Sequence, residues 1–268
     1  MFCNSTITDL FLFVFTQLIL HYLKLLFAIV RVLLLALFGV TYFIVVLFFP
    51  NVANLILQAV FILVLIGFFV TQKIYQNLGL FWLEESVDLK KYQTYIYETF
   101  GRSILHQNDH KLHLSYINFL QGEFRNALDL LDEIDLTKFK GKKGDSKKLF
   151  YWKVYGRASA FLQDNRFFEK AKNELNQLLT IPQAEREAVL NELEAIHSLV
   201  NLKQPNDFFE KQVTSSKLQF ISKNYFRGLN ATLEQRWTDA KIHFQDIYKE
   251  NAELYYVQQA KIVLEGDA

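Results

Sequence analysis

Apolar and polar positions alternate in two different ways along this chain. From Leu10 to Leu83 there is no acidic residue, and the only basic ones are Lys24, Arg31 and Lys73. Within that stretch Val32 to Phe49 is a run of 18 residues broken in polarity only by Gly39 and Thr41. At about 1.5 Å per residue it reaches about 27 Å, close to a hydrocarbon core of about 30 Å. Pro50 and Asn51 then punctuate the helix, because proline brings no N–H to the ladder and asparagine tolerates turn geometry. A second run of 20 residues follows, Val52 to Thr71, interrupted mainly by Asn54, Gln58 and Gly67. Two spans joined by so short a turn predict an antiparallel transmembrane hairpin. A pair of buried core helices fits such uninterrupted apolarity less well. So does a secretory leader, whose apolar region is shorter and is not followed directly by a second span.

Upstream of the hairpin, Asp9, Gln17, His21, Lys24 and Arg31 draw a narrow polar line through an apolar stretch. This predicts an amphipathic helix over about 9–30, lying in the membrane interface. A third span over Thr6 to Leu20 stays open as the alternative. Lys24 and Arg31 precede the first long span, and Lys73, Lys90 and Lys91 follow the second. The bias of Lys and Arg toward the cytoplasm puts both flanks inside and the Pro50-Asn51 turn outside. The expected anchor is therefore 1–75, with spans at about 32–49 and 52–71 and the large C-terminal domain in the cytoplasm.

Past about Gln76 the apolar residues recur at helical spacing, with none of the alternating Val/Thr runs of strands. A connecting helix and loop are expected over 76–108, with Leu83, Val87, Tyr92, Tyr95, Ile96 and Phe100 on one face and Gly101 near its end. From Asp109 the sequence repeats itself. Leu114 to Ile134 carries Ser115, Gly122, Phe124, Ala127, Leu131 and Ile134. Tyr155 to Leu179 carries Ser159, Phe168, Ala171, Leu175 and Leu178, and Asn224 to Ile247 carries Gly228, Trp237, Ala240, Phe244 and Ile247. In each copy an aromatic precedes a small Ala by three residues, and large apolar side chains follow.

The arrangement resembles the tetratricopeptide repeat, a helix-turn-helix unit of about 34 residues. Small residues at Ser115, Ser159 or Gly228 and at Ala127, Ala171 or Ala240 would let two helices approach, and Phe124, Phe168 or Trp237 would fill the bend. Ala127 to Ala171 is 44 residues, the excess falling in a Lys-rich stretch, and Ala171 to Ala240 is 69, about two units. A degenerate unit is expected between them, its first helix at Glu185 to Val200 and its second marked by Asp207 to Gln212, which echoes Arg166 to Ala171. A final helix over Ala252 to Leu264 would cap the array. The expected fold is all-α, a membrane hairpin followed by a tetratricopeptide-like α-solenoid over 109–268. The resemblance implies a peptide-holding groove lined by first helices, at Tyr116 and Phe119, Lys153 and Arg157, and Tyr225 and Leu229.

Composition and charge narrow the function classes. With 51% apolar residues, 10 Gly, 3 Pro and one cysteine, the chain is not disordered, collagen-like or a disulfide scaffold. The part beyond the anchor carries 26 basic and 27 acidic residues, which gives no net attraction for nucleic acid. Catalysis has no motif behind it: Cys3 stands alone, no GxSxG elbow occurs, and no carboxylate pair stands out. Neither an enzyme nor a bound cofactor is expected.

Two clusters remain. His106, Asp109, His110 and His113 have the residue types of a zinc site, but Asp109 also suits the N-cap of the helix that follows. Lys138, Lys140, Lys142, Lys143, Lys147 and Lys148 concentrate charge in what reads as an inter-repeat loop. Such a loop near a bilayer can attract anionic lipid, at about 1 kcal/mol per basic residue near the surface. The reading that joins spans, charge bias and repeats is a membrane-anchored scaffold that binds other proteins or peptides, by analogy in a bacterial plasma membrane. A metal-dependent enzyme or sensor at His106–His113 and a lipid-binding regulator at Lys138–Lys148 are the alternatives.

Overall fold

The computed structural model describes residues 36, 37, 39, 40, 43, 50–101 and 106–266; the side chains of 50–58, 60, 68, 71, 72 and 76 lie outside that description. The expected interfacial helix lies outside the described residues, as does most of the first span, of which 36, 37, 39, 40 and 43 are helical. Among the described residues there are helices and turns and no strand, so the fold class is all-α. The chain divides into two compact units, Met1–Asn77 and Leu78–Ala268.

Helix α1, Pro50–Glu84, contains 35 residues and carries no charged residue before Lys73. Phe61, Ile62, Leu63, Leu65, Ile66, Phe69 and Val70 are all exposed, and their positions sweep through about 200° of the helix circumference. Val64 and Gly67, on the remaining side, are half-buried. Among the described residues no helix is long and apolar enough to cross a membrane; the side chains of much of Val52 to Thr71 lie outside that set.

In the second unit the expected single connecting helix is divided in two. α1 ends at Glu84, Val87 takes a left-handed φ of 52°, and α2 runs from Leu89 to Ile96 before a π turn, Tyr97–Gly101. Asp88 causes the restart, since its carboxylate accepts a hydrogen bond from the Lys91 N–H at 2.9 Å and so caps a helix whose first N–H groups have no partner. The expected face is nonetheless inward: Leu83, Val87, Tyr92, Tyr95 and Ile96 are buried.

Paired helices follow. α3 (Gln107–Gln121) is joined to α4 (Phe124–Asp132), α5 (Gly141–Phe161) to α6 (Asn165–Gln177), and α9 (Lys217–Leu233) to α10 (Trp237–Ile247). The three bends have one geometry. Gly122, Gln163 and Gln235 take positive φ, and in each the N–H of that residue and of the next return to carbonyls at the end of the first helix. These bonds satisfy the carbonyls a helix end leaves over. Between the second and last pairs, α7 (Gln183–His197) runs into a π turn, Ser198–Leu202, and its partner is the four-residue α8 (Phe208–Lys211). Phe209 fills that gap, stacked on Phe226 with centroids 4.4 Å apart.

The shared bend fixes the register of the repeats, and in the second pair it differs from the reading by residue type. Seven residues before the bend lie Ser115, Gly156 and Gly228; five residues after it lie Ala127, Phe168 and Ala240. Gly156, not Ser159, is thus the counterpart of Ser115 and Gly228, and the Phe168–Ala171 pair sits about one turn farther along its helix than Phe124–Ala127. Trp237, expected inside its bend, is 57% exposed.

The last helix, α11 (Tyr255–Gly266), does more than cover the final pair. Its Tyr256 ring meets Tyr225 at 5.0 Å and Phe119 at 6.5 Å, and Tyr255 meets Phe124 at 5.0 Å and Phe161 at 5.3 Å. The Asn251 amide just before it donates to the Val87 carbonyl at 2.8 Å. The end of this unit is thereby bonded to its beginning, and the first helices surround a common interior.

Candidate functional site

That interior holds a cavity of about 400 Å³, within the range of small-molecule sites. α1 contributes Leu80, Leu83 and Glu84 to its wall, α3 His113, Tyr116 and Leu120, and α5 Phe150, Lys153 and Arg157. Glu192 of α7, Phe209 of α8, Leu218, Gln219 and Ser222 of α9 and Tyr256 of α11 also line it. Each first helix turns one stripe inward, and on α5 the spacing of four residues stacks Lys153 and Arg157 on that stripe.

The charged groups are arranged around one carboxylate. Glu192, 7% exposed, accepts from Lys153 Nζ at 2.8 Å and from Arg157 Nη2. Burial and the adjacent guanidinium push the Lys153 ammonium well below its ordinary value, with Glu84 acting against them. Glu84 accepts the Ser216 hydroxyl at 2.5 Å. Arg157 Nε and Tyr256 Oη are buried without a hydrogen-bond partner. Ser222 lines the same cavity, but no hydrogen bond of standard geometry reaches Tyr256 Oη. Burial raises the Tyr256 and Tyr116 hydroxyls, the Arg157 charge working against it in both.

Of the residues expected in a groove, Tyr116, Lys153 and Arg157 come together on this cavity. Phe119 and Tyr225 are buried under α11, and Leu229 is half-buried away from the cavity lining. Glu192, Glu84 and Tyr256 had no signal in the sequence, since each is an ordinary residue until a distant helix is placed beside it.

The histidine cluster is dispersed into packing. α3 begins three residues earlier than a cap at Asp109 requires, and Asp109 is paired with Lys147 at 2.5 Å and His106 at 3.5 Å. His113 lies parallel to Phe100 with centroids 5.4 Å apart and shares a hydrogen bond with the Tyr92 hydroxyl at 2.8 Å. Burial pushes it down to about 4. Among the described residues no group of three or more His, Cys, Asp or Glu is placed to hold a metal.

The Lys-rich segment is not a loop. Lys142, Lys143, Lys147 and Lys148 lie in the first turns of α5, and Lys138 ends a 3₁₀ turn, Leu136–Lys138. Gly141 begins α5 at a φ of 64°. Lys138, Lys147 and Lys148 approach Asp135, Asp109 and Asp145, whereas Lys140, Lys142 and Lys143 are exposed.

No protein family, curated protein or solved structure matches this chain.

Proposed function

We propose that the chain is a non-enzymatic membrane protein, in which a two-span hairpin anchors a tetratricopeptide-like helical domain at the cytoplasmic face of a bacterial plasma membrane. There the domain binds other proteins or peptides. The observation that carries the anchor is the exposure of large apolar side chains around much of α1 from Phe61 to Val70. A helix that docks on a protein surface covers an apolar stripe and keeps polar groups opposite. Here apolar groups face every exposed direction, as lipid requires and water penalises. The half-buried stripe of Val64 and Gly67 suits the approach of a second span, since a glycine lets the backbones of membrane helices come close.

Partner binding is supported by the inner faces of the helix pairs, which present aromatic and basic side chains. Gln219 is exposed at the rim of the cavity, and Glu187 is exposed on α7 outside its lining. A photocrosslinking amino acid at Gln219 should capture a protein in intact membranes that the same group at Glu187 does not. Equal capture from both sites, or none from Gln219, would remove the groove from the proposal. A cytoplasm-dependent reporter fused after Ala268 tests the topology, and inactivity there would reverse it.

A further inference from the structure

We infer that this cavity is a binding site for a small zwitterion with an apolar body, of which a free amino acid with a large aliphatic or aromatic side chain is the simplest member. This goes beyond capture of a protein partner, because the occupant is a small molecule held inside the domain. Two basic and two acidic side chains line the space, Lys153, Arg157, Glu192 and Glu84, and His113 beside them is neutral at pH 7 because burial lowers it to about 4.

The four are not matched one to one at ion-pair distance. Glu192 serves both Lys153 and Arg157, so the guanidinium, which stays charged, shares its only carboxylate. Glu84 has the Ser216 hydroxyl and, among the described residues, no cation at ion-pair distance. A partly buried charge with too few partners is costly. An anion alone would leave Glu84 as it is, and a cation alone would leave the Lys153–Arg157 side as it is. A molecule carrying both charges compensates the two.

The unpartnered atoms point to the same chemistry. Arg157 Nε can only donate, and Tyr256 Oη donates or accepts; both are buried, and Tyr256 is 2% exposed. A carboxylate has the acceptor lone pairs to take both bonds, and bonds to a charged acceptor are stronger than those between neutral groups. The remaining wall is apolar and aromatic, including Leu83, Leu120, Phe150, Val154, Phe209 and Leu218, which calls for an apolar body between the charged ends. At roughly 30 Å³ for each water-sized group the cavity has room for about a dozen heavy atoms, the size of leucine, phenylalanine or tyrosine and too small for a folded peptide segment.

Calorimetric titration of the full chain in detergent micelles tests this. The probes are L-phenylalanine and L-leucine, with 3-phenylpropionate lacking the ammonium and 2-phenylethylamine lacking the carboxylate. Binding of an amino acid is expected, with each truncated analogue weaker than phenylalanine by about tenfold or more. Tyr256→Phe should weaken the amino acid severalfold without lowering the unfolding temperature, because it removes a hydroxyl that has no partner. Equal affinity of phenylalanine and either analogue would overturn the assignment of the two charged ends. No binding of either amino acid at millimolar concentration would overturn the site itself and mean that water alone fills the cavity. Neither result touches the membrane reading, which rests on α1.

Discussion

Gly228 on α9 lies so close to Phe244 on α10 that a Cβ built on it would come within 2.5 Å of the ring. The two helices approach at this point because one has no side chain there and the other presents a flat one. Gly228→Ala must therefore displace a ring that is itself fully buried. Overpacking of this kind costs about 1–3 kcal/mol, against which alanine returns about 0.5–1 kcal/mol of helix preference. A net loss of about 1 kcal/mol is expected in urea unfolding followed by far-ultraviolet dichroism. A variant as stable as the parent would mean that the pair is looser than described.

The same contact marks how far the sequence could be read. Gly228 and Ala240 share a bend with the aromatic Trp237, so spacing by residue type finds the true helix pair. In the second pair the same search settles on Ser159, Phe168 and Ala171, which reproduce the chemical pattern one turn out of place. Gly156 is the residue against which Leu193 and Ala171 close, at 2.8 and 3.3 Å from its would-be Cβ. Helical periodicity fixes which side of a helix is buried, but a shift of three residues along that side leaves the periodicity almost unchanged. Only the bend, with Gln163 at a φ of 57°, sets the register, and glutamine gives no warning of it. The closure of the array by α11 was equally hidden, because Tyr255 and Tyr256 read as ordinary cap residues until the rings they meet are known.

Glu192 should be the most sensitive charged position in the second unit. Its carboxylate is the common partner of Lys153 and Arg157, whose side chains are 28% and 11% exposed. Lys153 can shed its proton when unpaired, but arginine stays charged at any ordinary pH. Glu192→Gln should therefore cost about 3 kcal/mol, mostly through a stranded guanidinium. Replacing all three together, Lys153→Met, Arg157→Met and Glu192→Leu, should recover most of that loss, since no stranded guanidinium is left behind. Urea midpoints of the two variants decide the matter. A triple variant less stable than Glu192→Gln would show that the cluster stabilises the fold beyond its own pairing.

His113 makes stability depend on pH in a direction that follows from its burial. Its folded value is about 4 against an ordinary 6.5, so over the interval between them the unfolded chain binds the proton and the folded chain does not. Stability is then fully present above about pH 6.5 and is lost as the pH falls toward 4. From pH 7 to pH 5 the loss from this residue alone is about 2 kcal/mol. His110, His197 and His243 are also lowered by burial, and each adds a smaller loss of the same sign. His113→Gln, which keeps a hydrogen-bonding group near the Tyr92 hydroxyl, should flatten the curve between pH 7 and pH 5. Parallel pH curves for parent and variant would remove His113 from the account.

The anchor makes the sharpest separation between two environments, because lipid and a partner protein protect a helix differently. Phe61, Ile62 and Leu63 are successive residues of α1, each exposed and each turned about 100° from the last. A partner protein covers one side and leaves at least one of the three in water, whereas a bilayer covers all three. With Cys3→Ser as background, the chain has no other cysteine, and single cysteines can be placed at Phe61, Ile62 or Leu63. In inside-out membrane vesicles all three should resist a membrane-impermeant maleimide, while a cysteine at exposed Gln219 reacts. Detergent that removes lipid should then open the three positions together. If one of them reacts in intact vesicles as fast as the Gln219 position, α1 faces water there, and the hairpin cannot be what holds the domain at the membrane.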